Sequence, residues 1–324
     1  NSYDGLITAR AGSSLSVTNS TLEYSKYVGI RSETGNTSVL TNTISNCGGR
    51  AIYISRGSSD PDNPEITNNV ISDCGSYGIH ISGASSSDPI IPIIKNNVIN
   101  NTTHAVHIDT GSAGMAGERT ITGNTGSGNT YNAIYIIGSF SNYTTLSADN
   151  DFYWYLGNFV SVSSSATLTL DPGSVIKKYA NSYDYNTLDV YGNLVAIGTP
   201  QAPIVFTSVN DGEERTPVPG DWNAIDIQSG GSAVFDHVQI RYGGYNSYDG
   251  LITARAGSSL SVTNSTLEYS KYAGIRVSTT DHFIENNRFN SIGSFAVYNG
   301  NTSEILVKAE NNWWGSYSGP SPYG

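Results

Sequence analysis

Short apolar strands separated by glycine, asparagine, aspartate and serine recur along most of the chain. Within each strand apolar and polar residues alternate, which is the two-residue period of a half-buried β-strand. No stretch combines the 3.6-residue period of an amphipathic helix with helix-capping residues. The pattern therefore predicts an all-β protein and excludes helical repeats.

One strand motif, in which Gly or Ala is followed by an apolar, a variable and an apolar residue, marks a short repeat. Its central apolar residues are 22, 27, 27 and 28 positions apart, at Ile30, Ile52, Ile79, Val106 and Ile134. A second marker recurs with similar spacing. It is an asparagine at the turn before another short strand, found at Asn19, Asn42, Asn69 and Asn97. Such repeats predict a solenoid whose successive coils pair at about 4.8 Å, bury a narrow apolar column and stack their turn asparagines.

A much longer period is also present. Residues 1–31 recur at 246–276 with a single change, Val28 against Ala273. We therefore predict two tandem units, residues 1–142 with the later coils of one unit and residues 143–324 with a second unit. The coil markers lapse between them, near 141–149, just before the aromatic residues 152–155. We expect the chain to be a piece of a longer array.

The Asn-x-Ile and Gly-Ile-x-Ile signatures resemble the repeats of pectate-lyase-like right-handed β-helix proteins. Residues 168–173, 190–198, 203–207 and 220–222 are similar to the opening coils of bacterial and archaeal surface members. Residues 311–315 and 318–322 resemble their closing segment. The resemblance implies a right-handed parallel β-helix solenoid, in keeping with the general handedness of parallel crossovers. It implies no activity, because the family includes lyases, hydrolases, epimerases, adhesins and inert stalks.

The variable residue of the strand motif forms an outward column on one face of the predicted solenoid. Its members are Arg31, Tyr53, His80, His107 and Tyr135, with Asp109 two residues beyond His107 on the same strand face. The extra residues of the longer coils, 55–64, 82–89 and 109–118, follow the same strand and gather on that side. Rings beside polar loops are typical of a polysaccharide-binding face. The alternative, which we favour for any single residue, is a solvated column of stacked side chains.

The sharpest chemical candidate in this column is the group His80, His107 and Asp109. Two imidazoles and a carboxylate could bind a metal ion or share acid and base roles. Any outward column produces this spacing, however, and the Asn-Thr-Asp, Asp-Asp, Gly-His-Gly and Arg-Ile-Lys strings of polygalacturonase-like hydrolases are missing. We therefore assign no catalytic or metal-binding residues, and predict binding residues at Tyr53, His80, His107, Asp109 and Tyr135.

Composition and charge narrow the classes of function. A net charge of -11 with only 16 Lys and Arg excludes nucleic acid and anionic membranes as partners. No apolar run is long enough for a membrane helix. We expect no cofactor; calcium at residues 149–151 or 210–214 is the remaining alternative, although neither acidic turn has EF-hand spacing. A low charged fraction with abundant Tyr, Ser, Thr and Asn favours an extracellular, cell-surface location.

Two cysteines occupy equivalent positions, each five residues after a turn asparagine (42 + 5 and 69 + 5). Cys47 and Cys74 should therefore stack in adjacent coils, either as buried thiols, which we favour, or as a disulfide.

The leading hypothesis is a non-catalytic structural or adhesive module of a surface filament, stalk or sheath, with a polysaccharide as a further partner. Such a module would assemble as a homo-oligomer or head-to-tail polymer. The alternative is a polysaccharide lyase or glycoside hydrolase that acts around His80, His107 and Asp109.

Overall fold

The computed structural model describes residues 4–55, 63–83, 89–178, 188–212, 215–301, 306–316 and 319. Across these residues the regular elements are short β-strands, which confirms the predicted all-β class. No described segment is a helix with the length and apolar character needed to cross a membrane. The chain divides into two compact units, Asn1–Trp154 and Tyr155–Gly324. The assignment of repeat units to 1–142 and 143–324 stays a prediction.

The strands are numbered in chain order. The first unit contains β1 (Gly5–Ala9), β2 (Leu15–Thr18), β3 (Thr21–Glu23), β4 (Val28–Ser32), β5 (Thr37–Leu40), β6 (Thr43–Ser45), β7 (Ile52–Ser55), β8 (Glu65–Thr67), β9 (Val70–Ser72), β10 (Tyr77–Ser82), β11 (Ile93–Lys95), β12 (Val98–Asn100), β13 (His104–Asp109), β14 (Met115–Glu118), β15 (Ile121–Thr122), β16 (Tyr131–Ile137) and β17 (Ser139–Leu146). After β18 (Tyr153–Leu156), the second unit contains β19 (Val160–Val162), β20 (Thr167–Leu170), β21 (Val175–Lys178), β22 (Leu188–Val190), β23 (Asn193–Ile197), β24 (Ile204–Ser208), β25 (Ile225–Ile227), β26 (Ser232–Asp236), β27 (Val238–Arg241), β28 (Gly250–Ala254), β29 (Ser259–Thr263), β30 (Thr266–Glu268), β31 (Ala273–Val277), β32 (Asp281–Glu285), β33 (Arg288–Asn290) and β34 (Val297–Asn299).

Both units have the layout of a parallel β-helix, in which strands three places apart in sequence, or four in the case of β11 and β15, are neighbours in space. The stacked series of the first unit are β1-β4-β7-β10-β13-β16, β2-β5-β8-β11-β15 and β3-β6-β9-β12. Those of the second unit are β21-β24-β27-β30-β33, β19-β22-β25-β28-β31-β34 and β20-β23-β26-β29-β32. This arrangement confirms the predicted solenoid.

The apolar residues of the strand motif form the core of the first unit. Ile30 lies opposite Ile52, and the same register continues through Ile79 and Val106 to Ile134. All five side chains are fully buried. Larger side chains fill one interior column of the second unit, in which Phe206, Ile240, Leu267 and Phe289 align on successive strands. Burial of these columns is the main hydrophobic contribution to each unit.

A ladder of asparagines lines one corner of the first unit and consists of the buried Asn42, Asn69, Asn97 and Asn124 and the half-buried Asn150. Asn69 shows the shared geometry. Its Oδ1 accepts hydrogen bonds from the main-chain N and Nδ2 of Asn42 at 2.9 and 3.0 Å, and its Nδ2 donates to the carbonyl of Val39 at 2.8 Å. Each amide thereby satisfies backbone groups that a tight interior turn would otherwise leave unpaired.

The prediction that Asn19 belongs to this ladder is wrong by one position. Asn19 is exposed with a φ of 50°, and Ser20 takes the ladder position, where its main-chain N donates to Asn42 Oδ1. The same order occurs in the second unit, where His237 has a φ of 51° and Val238 follows it in register with Ser265. The turn uses a left-handed residue followed by a ladder residue. Because asparagine suits both conformations, composition alone does not separate the two positions.

The closing segment of the second unit adds a further partial rung. The main-chain N of Trp313 donates to the carbonyl of Asn287, and Trp314 stacks on Phe289 with ring centroids 5.3 Å apart. The second unit has a short ladder of its own: Asn287 Oδ1 accepts from the main-chain N of Ser265 at 3.0 Å, and Asn312 Oδ1 accepts from the main-chain N of Asn287 at 2.8 Å. Of the predicted closing residues 318–322, only Gly319 lies among the described residues.

The asparagine ladder predicts a position-specific loss of stability. Asn69→Ala removes the partner of the main-chain N of Asn42 and one hydrogen bond to the carbonyl of Val39, so we expect a loss of about 1–3 kcal/mol in the free energy of unfolding. Chemical denaturation measures it. Asn19→Gly is the matched control, because glycine adopts the positive φ without strain and the exposed side chain lies outside the ladder. Equal losses in both variants would contradict the structural role of the ladder.

Candidate functional site

The outward column predicted from the strand motif exists in the first unit. Tyr53 lies opposite His80, His80 opposite His107, and His107 opposite Tyr135, on β7, β10, β13 and β16. Successive ring centroids are 5.0, 4.6 and 4.8 Å apart. Arg31 occupies the same position one coil before Tyr53.

A second row of rings lies beside this column and was not predicted. Tyr77 is opposite His104, and His104 is opposite Tyr131. The rows touch, with the Tyr77 ring 4.9 Å from His80 and 4.8 Å from His107. We name the two rows together the ring cluster; its members are Tyr53, Tyr77, His80, His104, His107, Tyr131 and Tyr135.

The local backbone explains why both rows share one face. In β10 two consecutive residues, Gly78 and Ile79, are buried, so Tyr77 and His80 both lie outside although they are three positions apart. A Cβ at Gly78 would come within 2.5 Å of the Ile99 side chain, so only glycine fits there. A ring three residues before the outward histidine, repeated after 27 residues, was the sequence signal for the second row.

Contacts with other residues, including the neighbouring rings, cover most of the surface of each ring in the cluster. The described rings are half-buried, and the stacked pair His104 and Tyr131 has centroids 4.7 Å apart with 22° between planes. Aromatic pairs at these distances contribute about 0.5–1.5 kcal/mol each beyond area burial. The cluster therefore stabilises neighbouring coils and presents the remaining part of each ring to solvent.

Two arginines border the cluster at its amino-terminal side. The guanidinium of Arg50 lies 4.3 Å from the ring centroid of Tyr53 and 5.7 Å from that of Tyr77. Arg31 lies 5.4 Å from the centroid of Tyr53 and also pairs with Glu33 at 3.0 Å. These contacts add cation–π attraction to the ring stacking.

The histidines of the cluster are neutral imidazoles at ordinary pH. Burial lowers the pKa of His80 to about 3, with smaller contributions from the charges of His107 and Arg50. Burial also lowers the pKa values of His104 and His107 to about 4, and the nearby carboxylate of Asp109 only partly opposes this at His107. In the part of the chain described, the buried Nδ1 atoms of His80 and His107 have no hydrogen-bond partner.

In the candidate group His80, His107 and Asp109, the carboxylate is bonded elsewhere. Asp109 lies opposite Ser82 on the preceding coil, and its Oδ1 accepts a hydrogen bond from the main-chain N of Gly111 at 3.0 Å. Over the described ranges of the chain, neither imidazole has a hydrogen bond to a carboxylate that would fix its tautomer. Among the described residues, no group of three His, Cys, Asp or Glu side chains could hold a metal ion. The assignment of Tyr53, His80, His107, Asp109 and Tyr135 as binding residues stays a prediction.

The second unit has an arginine and carboxylate network on an outward face. Arg255 donates to Asp226 Oδ2 and Asp249 Oδ1, both at 2.7 Å, and its Nε donates to Asp226 Oδ1. Burial raises the pKa of Asp249, and the charge of Arg255 opposes that shift. The first unit repeats part of this network, since Arg10 pairs with Asp4 and Glu33. The network therefore belongs to the duplicated scaffold.

Two family models match the chain. Residues 11–148 match a right-handed β-helix region, and residues 138–311 match a pectate-lyase-like β-helix domain. These matches confirm the predicted right-handed parallel β-helix. Comparisons with curated proteins and with solved structures gave no match.

The buried histidines predict that acid destabilises the first unit. Their folded-state pKa values of about 3 to 4 lie below the ordinary 6.5, so the unfolded chain binds more protons between these limits. The full contribution of these histidines to the free energy of unfolding is present above pH 6.5 and is lost as the pH falls toward 4. Each histidine changes the free energy of unfolding by at most about 1.4 kcal/mol per pH unit. The partial exposure of the rings reduces that value.

Thermal unfolding across pH 4–7 would measure this dependence. A variant with His80→Gln, His104→Gln and His107→Gln should show a flatter midpoint-against-pH curve than the unmodified protein. If both proteins have the same profile, other groups control the acid response.

Proposed function

Because the chain belongs to the pectate-lyase-like β-helix domain family, we propose that it is a non-catalytic structural or adhesive repeat module of an extracellular filament, stalk or sheath. The observation that carries this proposal is the near-identical copy. The described parts of residues 1–31 and 246–276 both contain coil strands, with β1 and β28 at matching positions, Gly5–Ala9 and Gly250–Ala254. A tandem array of such coils provides length and repeated presentation of one surface.

The chemistry of the ring cluster supports a role without turnover. Proton transfer at neutral pH requires groups whose pKa values lie near the working pH. The pKa values of His80 and His107 lie well below it, and the Asp109 carboxylate binds a main-chain group of its own loop. Stacked, neutral rings are better suited to holding coils together or contacting a ligand than to acid–base catalysis.

A second candidate function is passive polysaccharide binding by the same cluster. The half-buried rings form one continuous surface across the strands from β7 to β16, and Tyr53 and Tyr135 occupy the first and last ring positions of the outward column. Tyrosine presents an apolar ring and a hydroxyl group together, which suits contact with sugars. If it binds no polysaccharide, the ring cluster serves only to hold neighbouring coils together.

Head-to-tail assembly is the partner arrangement we propose. Leu251 is fully buried in β28, which pairs with β25, and Leu6 is the equivalent residue of the near-identical strand β1. The same coil-to-coil pairing between copies of this unit would place Leu6 in a buried contact. The partner that we propose is therefore another repeat unit.

Incubation with a panel of acidic and neutral polysaccharides tests the non-catalytic role. We expect neither new reducing ends nor the ultraviolet absorbance of unsaturated products. Turnover that disappears in His107→Gln would instead support the alternative, a polysaccharide lyase or glycoside hydrolase that acts around His80, His107 and Asp109.

Binding to the same panel is tested separately by affinity electrophoresis. If the cluster holds a sugar chain, Tyr53→Ala or Tyr135→Ala should weaken binding roughly three- to tenfold, through loss of a ring contact. Tyr143→Ala is the matched control, because Tyr143 is 69% exposed and lies outside the cluster. Equal losses in all three variants would argue against the cluster as the binding surface.

If copies of the full chain assemble head to tail, their mean size measured by light scattering should increase with protein concentration. We expect Leu6→Lys to reduce this increase, because the added charge would be desolvated in a coil-to-coil contact. Leu306→Lys, at a position 79% exposed and remote in sequence, is the control. A strictly monomeric protein at high concentration would contradict the head-to-tail arrangement.

A further inference from the structure

The two cysteines are buried and reduced, and they occupy the same position in adjacent coils of the first unit. Both are free thiols, with 2% of Cys47 and 3% of Cys74 exposed. They follow β6 and β9, which are in parallel register with Ser45 opposite Ser72. The main-chain N of Gly75 donates to the carbonyl of Cys47 at 2.8 Å, so the register continues through the cysteines.

This register places the cysteines at a separation that a disulfide accepts. Adjacent parallel strands are about 4.8 Å apart, and the Cα atoms of a disulfide are usually roughly 4.4–6.8 Å apart. The two side chains also share the same local environment. The Sγ atoms of Cys47 and Cys74 donate to the carbonyls of Ser45 and Ser72, two residues earlier in each chain segment.

Packing does not require a thiol at this position. The preceding coil has Ser25 here, whose hydroxyl donates to the carbonyl of Val28 at 2.6 Å, and the following coil has Thr102. In the duplicated sequence the equivalent of Ser25 is Ser270, which makes the same bond to Ala273 at 2.6 Å. Serine therefore fits this corner. Two adjacent cysteines can in addition undergo thiol oxidation, which the packing of the corner does not require.

We propose that Cys47 and Cys74 are a site of oxidative modification, at which a disulfide forms between two neighbouring coils. The bond would join residues far apart in sequence whose strands are already in register. It would close a chain segment that includes β7, β8 and β9, and would oppose separation of these coils.

The two thiols interact directly, since their contact lowers the pKa of Cys47 and raises that of Cys74. Either thiol can begin the exchange, and the steps are the same with the two cysteines interchanged. With a small disulfide such as oxidised glutathione, the Cys47 thiolate attacks one sulfur, forms a mixed disulfide and releases one glutathione thiolate.

Cys74 then completes the exchange. It loses its proton and attacks the Cys47 sulfur, and the second glutathione leaves as a thiolate. Overall the protein loses two protons and two electrons, and the oxidised glutathione becomes two reduced molecules. Because both sulfurs are buried, the first step requires local opening of the corner and should be slow.

The test is incubation of the folded protein with oxidised glutathione at a temperature below the unfolding midpoint. We expect loss of both titratable thiols, an intact mass lower by two hydrogen atoms, no retained glutathione, and a rise in the unfolding midpoint that a reductant reverses. Peptide mapping under non-reducing conditions should link the two cysteines within one chain.

Single and double serine variants complete the design. Cys47→Ser or Cys74→Ser should lose the rise in midpoint, and the remaining cysteine should stay a thiol or retain one glutathione. The double variant, which reproduces the serine corner of the preceding coil, should fold and show no response to oxidant. Persistence of both thiols, a disulfide between two chains, or an intramolecular disulfide that lowers the midpoint would overturn the proposal.

Discussion

Main-chain hydrogen bonding between successive coils is the constraint on which the rest of each unit depends. A parallel strand has unpaired N–H and C=O groups on both edges, and within a solenoid only the next coil can pair them. From Ile30 to Val106 the described coils keep their register although equivalent residues are 22 or 27 positions apart, so that difference in length falls into the connections between strands. The one additional residue of the next coil lies within the β13–β16 pair, where the register shifts between His104 and Val106.

The corners of the coil carry the second part of this constraint. A tight interior turn cannot pair all of its backbone groups with the next strand, so amide side chains provide the missing donors and acceptors. Asn42, Asn69 and Asn97 do this in consecutive coils, each bonded to the main chain and to the next amide. The same corner uses a left-handed residue just before each ladder position, for instance Asn68 with a φ of 57°.

The outward surface is a consequence of the same register. Equivalent positions are one strand spacing apart, so like side chains placed there must touch. In the ring cluster this brings His80 and His107 to 4.6 Å and lowers the pKa values of both through burial. The second unit has Asp226, Thr253 and Arg276 in consecutive register positions, and there Asp226 and Thr253 are buried. The scaffold is thus shared, whereas the chemistry of each face differs.

The sequence by itself determined the fold class, the coil period and the outward column from Tyr53 to Tyr135, because these depend on local alternation and on spacing along the chain. Only the tertiary structure decided that Tyr77, His104 and Tyr131 join that column, since two consecutive buried residues in β10 shift the alternation. It also decided that Ser20 and not Asn19 continues the ladder. Both outcomes have the same physical reason. A shift of one residue in the inward–outward alternation changes which side chain faces the core, and hydrogen bonding with the neighbouring coil sets that alternation.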